Sequence, residues 1–200
     1  MKTILTKLYR FDELSKTAQD YAIEQYREKN EYLGQHWQED NFESIKAVLK
    51  FFDWSITNYS IEYWSAAHSY ISISLNLDYA EEIANLSGVR LYKFLNNNYV
   101  NRRTGSFNSV FDGKPDNGRC LFTGYCADGS VTEPIEKFLK RPTDITFEEL
   151  MEKCIYEGLK YIEDDYNHQL SDEYIKEEIT DNGLQFNAEG VELDESILTV

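Results

Sequence analysis

Residues 69–77 read Ser-Tyr-Ile-Ser-Ile-Ser-Leu-Asn-Leu, and from Ile71 onward apolar and polar side chains alternate. Successive side chains of a β-strand point to opposite faces, so this alternation predicts a strand with one buried face. Residues 56–64 alternate in the same way, with apolar Tyr59, Ile61 and Tyr63 set against Ser60 and Glu62. The four intervening residues, Ser65-Ala66-Ala67-His68, are short enough for a hairpin loop. This part of the chain therefore predicts an antiparallel pair of strands.

Helical patterns lie on both sides of the hairpin. Before it, Ser15 is a suitable N-cap for one helix, and a second is predicted from about His36 to Phe52. After it, helices are predicted within 79–100, near Glu133–Lys140, after a capping box at Thr146 and Glu149, and after Ser171. Residues 3–9 suit a first strand or an extended arm, residues 101–118 a long loop, and residues 119–126 a return to the sheet.

The order of these patterns indicates the fold class. Helical and alternating periods are segregated along the chain, which is typical of α+β proteins. A chain of 200 residues can bury a sizeable core as one domain. We therefore predict a small antiparallel β-sheet packed with several α-helices, in a single domain over residues 1–200.

The charge of the chain is strongly negative and increases toward the C-terminus. The formal net charge is −16, from 20 basic and 36 acidic residues. Residues 144–200 carry 17 acidic side chains against Lys153, Lys160 and Lys176, a net of −14. Such a surface repels nucleic acids and anionic membranes and attracts basic partners. We expect a partner protein with a basic surface, no direct nucleic-acid binding and no membrane association; the alternative is that the charge serves solubility alone.

Two compositional features bear on the compartment. Cys120, Cys126 and Cys154 are an odd and sparse set, which argues against a disulfide framework and favours a reducing environment. Residues 1–7 contain no apolar run long enough for a signal peptide, and no stretch approaches the length of a membrane span. We therefore expect a cytoplasmic protein.

Motifs that carry chemistry are missing from the sequence. His36, His68 and His168 have no metal-ligand spacing to one another or to a cysteine. The loop at 112–118 lacks the Gly-Lys-Ser/Thr ending of a phosphate-binding loop and the ligand pattern of a calcium loop. No Gly-x-Ser-x-Gly elbow is present. We expect no catalytic residue, no metal and no cofactor, and hence no enzyme; the alternative is an enzyme whose site is assembled from distant residues.

Two acidic clusters are the candidate partner-binding residues. Glu173, Glu177 and Asp181 fall at i, i+4 and i+8 of the last predicted helix, so they form one row with steps of roughly 6 Å. Such a row suits a basic groove that normally holds a nucleic-acid strand, in which charges recur about every 3.4 Å. Glu163-Asp164-Asp165 form the second cluster, which we interpret as a solvated helix end because adjacent residues face different sides. A solvent-exposed helix face without a partner is the alternative for both.

Several short segments carry a family resemblance. The opening Tyr9-Arg10-Phe11-Asp12-Glu13-Leu14-Ser15, with its Phe-Asp-Glu-Leu-Ser motif, resembles that of uncharacterised bacteriophage and prophage proteins. Further similar segments follow in the same order: Ile61-Glu62-Tyr63, Cys120-Leu121-Phe122-Thr123-Gly124-Tyr125, Glu133-Pro134-Ile135, Ser171-Asp172-Glu173-Tyr174-Ile175 and Asn182–Gly190. Many members resemble one another in a Gly-Asp-Gly loop in the hairpin region, where this chain has Ser65-Ala66-Ala67-His68.

The resemblance implies an origin and a setting. Members of that family are often labelled antitoxins, and they carry no established catalytic residues, so no site residue is transferred. The resemblance implies a phage protein acting in the cytoplasm of a bacterial host. Together with the acidic charge, it predicts an inhibitor that binds a host nucleic-acid-binding or anti-phage defence protein, such as a CRISPR effector, by mimicking nucleic acid. The alternative is an antitoxin-like protein that neutralises a toxin by direct contact.

Overall fold

The computed structural model describes residues 7–30, 32–64, 70–101, 107, 121–124 and 127–193. A 3-10 helix lies at Phe11–Glu13. The helices are α1 (Lys16–Lys29), α2 (Gln38–Phe51), α3 (Glu81–Ala84), α4 (Gly88–Asn98), α5 (Ala127–Lys140), α6 (Phe147–Gln169) and α7 (Asp172–Asp181), and the strands are β1 (Ser55–Trp64) and β2 (Tyr70–Asp78). The predicted α+β class, with helices and a small antiparallel sheet, is confirmed.

Contacts between residues divide the chain into two units. Unit 1 comprises Met1–His36 and Tyr166–Val200, and unit 2 comprises Trp37–Asp165. The division falls inside α6, and each unit has its own apolar core. The prediction of a single domain over residues 1–200 stays a prediction.

The hairpin has the register that the alternation predicts. Ser60 pairs with Ser74, Ile61 with Ile73 and Tyr63 with Ile71, so apolar residues face apolar residues across the ladder. The alternation predicts that the apolar face of the hairpin is buried, but its described side chains are only half-buried or, at Tyr59, exposed. A ribbon of two strands is narrow and strongly twisted, so a neighbouring helix covers it incompletely.

The core of unit 2 is built around α2. Ile45, Val48 and Leu49 are fully buried on one face of this helix. Aromatic rings extend the core: Phe52 lies 4.8 Å from Tyr99 between ring centroids. Burial, aided by the Asp53 carboxylate, raises the pKa of Tyr99 to about 12. The helix begins at Gln38, slightly after the predicted start at about His36, because Trp37 adopts a left-handed conformation, and the Trp37 side chain is exposed.

Helix α5 begins earlier than the sequence pattern predicts. The sequence pattern predicts a start near Glu133, whereas the helix begins at Ala127 and contains Pro134. Residues 121–124, predicted to rejoin the sheet, form an irregular segment with bends at 122–124. The remainder of 119–126 lies outside the described residues. The 101–118 loop prediction likewise falls almost wholly outside them. A proline inside a helix forfeits one backbone hydrogen bond, so other interactions must stabilise the first two turns.

The carboxylate of Asp128 supplies those interactions. It is fully buried and accepts hydrogen bonds from the backbone N–H groups of Phe122 and Thr123, each at 2.8 Å. The Thr123 hydroxyl donates to its other oxygen at 2.8 Å, and the Ser44 hydroxyl lies 3.0 Å from that of Thr123. Since Thr123 has one proton to donate, Ser44 donates to Thr123. This network joins α2, residues 121–124 and the first turn of α5.

Gly158 marks the point where three helices of unit 2 meet. A Cβ at this position of α6 would lie 2.8 Å from Ile45 Cγ1 of α2 and 2.8 Å from Val131 Cγ2 of α5. Both neighbours are buried, so neither has room to withdraw. A glycine inside a helix lowers helix propensity, but here it permits close packing of the three helices.

Unit 1 packs α1 against α7. Ala18, Ala22 and Ile23 of α1 and Ile175 and Ile179 of α7 are buried in one cluster. Tyr9 and Phe186 exchange two backbone hydrogen bonds of 2.9 Å, so the end of the predicted first strand forms a single bridge, while residues 3–6 lie outside the described residues. Ser15 accepts from the Ala18 N–H at 3.3 Å, which confirms the predicted N-cap of α1.

We predict that Gly158→Ala destabilises the protein despite the better helix propensity of alanine. The propensity gain is about 1 kcal/mol, whereas overpacking of a filled core costs about 1–3 kcal/mol, so we expect a net loss of up to about 2 kcal/mol. Urea unfolding followed by circular dichroism measures it. Adding Val131→Ala makes room for the new methyl group, so the double variant should lose less than the sum of the single variants. Additive losses, or a more stable Gly158→Ala variant, would contradict close packing here.

We predict a second stability effect at Asp128. Asp128→Asn keeps the shape but replaces charge-assisted hydrogen bonds from Phe122 and Thr123 by weaker neutral ones and turns an NH2 group toward the Thr123 hydroxyl, so we expect a loss of about 1–2 kcal/mol in the free energy of unfolding. Glu136→Gln is the matched control, since it makes the same charge change at an exposed position of α5. The control should change stability by less than about 0.5 kcal/mol. Equal effects of both substitutions would show that charge, and not the buried hydrogen bonds, accounts for the loss.

Candidate functional site: the acidic face of helix α7

Helix α7 has well-defined ends. At its start the Ser171 hydroxyl accepts from the Tyr174 N–H at 3.2 Å and donates to the His168 carbonyl at 2.7 Å. At its end Gly183, with φ of +63°, donates to the Thr180 carbonyl, and Leu184 donates to the Ile179 carbonyl. This pair of bonds is a Schellman motif, which requires the left-handed residue that glycine supplies. The predicted N-cap at Ser171 and stop at 182–183 are both confirmed.

One face of α7 is buried and the opposite face is acidic. Ile175 and Ile179 have no solvent exposure and pack into the core of unit 1. At about 100° per residue, Glu177 lies about 180° from the midpoint of these two isoleucines. Glu173 and Asp181 lie on either side of Glu177 along the same row, and all three carboxylates are exposed. Burial of the isoleucines therefore directs the predicted row toward solvent.

The row is here called the acidic face (Glu173, Glu177 and Asp181), and no described basic side chain neutralises its carboxylates. Among the described residues, none of its three carboxylates is within salt-bridge distance of a lysine or arginine. The helix as a whole carries five acidic residues and one lysine. Like charges four residues apart cost about 0.2–0.5 kcal/mol per pair. A cationic partner would relieve this repulsion.

Asp172, beside the acidic face, is neutralised within unit 1. Its carboxylate accepts a hydrogen bond from the Arg27 side chain of α1 at 2.7 Å. Arg27 also donates to Glu24 and to the Leu170 carbonyl. Partial burial acts to lower the pKa of Arg27, but its hydrogen bonds to Asp172 and Glu24 outweigh burial and raise that pKa. Arg27 stands 145 positions from Asp172, so no local pattern could have indicated the pair.

The second predicted cluster does not form a comparable surface. Glu163 and Asp164 are exposed, but Asp165 is half-buried and accepts from the Gln38 side chain at 2.7 Å. The interpretation as a helix end is also wrong, because α6 continues to Gln169. It continues because Tyr166 and Gln169 are buried, and Gln169 donates to the His36 carbonyl at 2.9 Å. These three carboxylates belong to unit 2, whereas the acidic face belongs to unit 1.

The described residues show little of the chemistry that an active site uses. No group of three or more histidine, cysteine or acidic side chains among them is placed to hold a metal ion. Cys154 is fully buried, and burial raises the pKa of its thiol, so the reactive thiolate is disfavoured. Within these residues no helix is long and apolar enough to cross a membrane. The expectations of no catalytic residue and no cofactor stay predictions.

Comparison with known proteins adds no relative to this description. No protein-family model, no curated protein and no solved structure matches the chain.

Proposed function

We propose that this chain is an inhibitor that binds a host nucleic-acid-binding or anti-phage defence protein through the acidic face of α7. The observation that carries the proposal is the exposed row of Glu173, Glu177 and Asp181, which makes no salt bridge within the described residues. The phage origin rests on the family resemblance of the sequence and stays a prediction.

The geometry of the row supports nucleic-acid mimicry. Its carboxylates recur about every 6 Å along the helix axis. Phosphates of one strand recur about every 3.4 Å, so two phosphate steps span roughly 6.8 Å. A row of arginines or lysines that contacts alternate phosphates of a strand would therefore meet one carboxylate of α7 at each contact, with charge-assisted hydrogen bonds.

The rigidity of the row supports it further. Both ends of α7 are capped, and two buried isoleucines fix its rotation about the helix axis. Binding then orders three acidic side chains but no backbone, so association does not carry the entropic cost of folding a chain segment. The strong net charge also accelerates association with a basic partner at low ionic strength.

The antitoxin-like alternative is supported by a different surface. Trp37 is 67% exposed, and Tyr59 on the half-buried hairpin face is 45% exposed, both in unit 2. Large aromatic side chains often provide the main anchors of protein interfaces. An interface of this kind would be largely apolar, so its affinity would depend little on salt.

We predict that reversing the acidic face abolishes binding to a basic partner. The test is a pull-down from a bacterial host lysate with the full chain as bait, elution by salt from about 0.05 to about 0.5 M, and mass spectrometry. A nucleic-acid-handling or defence protein that elutes at moderate salt is expected. For that partner, Glu173→Lys, Glu177→Lys and Asp181→Lys together should raise Kd about a hundredfold or more.

The control carries the same change of charge elsewhere. Glu62→Lys, Glu136→Lys and Glu152→Lys alter three exposed acidic residues of unit 2, and this variant should retain most of the affinity. Circular dichroism verifies that both triple variants are folded. If the acidic-face variant binds as the unchanged chain does, the proposal fails. A toxin-like partner that resists salt and is lost on Trp37→Ala would support the antitoxin-like alternative.

A further inference from the structure

A cavity of about 520 Å³ lies in unit 2, lined by the last two turns of α5, residues 141–145 and the first half of α6. Its inner wall includes the buried side chains of Phe138 and Leu150, with Ile145 beside them. Cavities of roughly 300–1,000 Å³ with an apolar wall are typical of small-molecule sites. None of these residues belongs to the acidic face, so the cavity is independent of the function proposed above.

The rim of this cavity is positively charged. Lys137, Lys140, Arg141 and Lys153 line it together with one acidic residue, Glu157, so its described lining carries four positive charges and one negative charge, a net of +3. The whole chain carries −16, with 20 basic residues. One fifth of the basic residues therefore surround one cavity, against the overall sign of the protein.

Intramolecular roles account for part of this charge. Lys137 forms a salt bridge with Glu133 at 2.9 Å, and Lys140 ends α5, where a cation is favoured by the helix dipole. Arg141 directly follows α5 and donates its N–H to the Lys137 carbonyl, so the same dipole favours its charge, whereas Lys153 is the seventh residue of α6 and lies away from both ends of that helix. Neither Arg141 nor Lys153 forms a salt bridge with any described residue. Of the four cations, Lys153 therefore has neither a salt bridge to a described residue nor a helix-end position that would account for it.

We propose that this cavity binds a small amphipathic organic anion, with a carboxylate or phosphate head on an aromatic or alkyl body. Arg141 presents a planar fork that matches a carboxylate or phosphate, and Lys153 adds a second charge. Phe138 and Leu150 remove the apolar body from water. An inorganic anion would leave this wall unused, and a neutral apolar molecule would leave the cations unused.

The test is a fluorescence titration of the full chain with anilinonaphthalene sulfonate, an aromatic sulfonate whose emission rises when it leaves water. We expect saturable binding of one dye per chain, displaced by phenyl phosphate or by decanoate according to whether the natural body is aromatic or alkyl. Lys153→Glu should raise the dye Kd about tenfold or more, because a repulsive charge replaces an attractive one. Thr143→Trp should weaken binding at unchanged net charge, because the indole fills part of the cavity.

Lys160→Glu is the matched control, since it makes the same charge change at an exposed position of α6 outside the described cavity lining. It should alter the dye Kd by less than about twofold. Lys160 lies seven residues beyond Lys153, about 10 Å along the helix axis, and exposed charges are largely screened at that distance. Equal weakening by Lys153→Glu and Lys160→Glu would overturn the proposal, as would displacement by inorganic phosphate as effective as that by phenyl phosphate. Dye binding insensitive to both Lys153→Glu and Thr143→Trp would also overturn it. Should Lys153→Glu not fold, Arg141→Glu replaces it.

Discussion

Unit 2 depends on the close packing of helices α2, α5 and α6 at Gly158, where there is no room for a side chain. This packing brings α6 into direct contact with Ile45 of α2 and Val131 of α5, and a single methyl group would separate the three helices. The buried carboxylate of Asp128 complements this packing, since it ties α5 to residues 121–124 and, through Thr123, to α2. Apolar packing sets the distances between the helices, and the hydrogen bonds define where α5 begins. The cavity between α5 and α6 is a consequence of that arrangement.

The two proposed binding surfaces carry charges of opposite sign. In unit 1, buried isoleucines direct the carboxylates of α7 outward, and Arg27 neutralises Asp172 but not the acidic face. In unit 2, four cationic side chains line one apolar cavity, although the whole chain has a net charge of −16. A rigid acidic row favours a basic macromolecule, whereas a basic rim over an apolar wall favours a small amphipathic anion. The two proposed sites would therefore select ligands of different chemistry.

Interactions between near neighbours in the chain could be predicted from the sequence. The hairpin register follows from the alternation in residues 56–64 and 69–77, because a slip by one residue would place apolar side chains opposite polar ones. The N-caps at Ser15 and Ser171 bond to groups three residues away, and the capping box of Thr146 and Glu149 has both of its hydrogen bonds. The row on α7 follows from helical spacing alone.

Interactions between distant residues were decided by the tertiary structure. The sequence does not predict the start of α5 for two reasons. The Asp128 carboxylate that stabilises this start bonds to residues 121–124, which have no regular sequence pattern, and a proline such as Pro134 is typical of a helix boundary. Gly158 looks like a weak point of a helix until Ile45 and Val131 are placed against it. The sequence by itself determined the elements, their caps and the acidic row, because these depend on residues within about one helical turn or one strand pair. Only the tertiary structure decided which carboxylates are neutralised and where the cations gather, because those partners lie far apart in the chain.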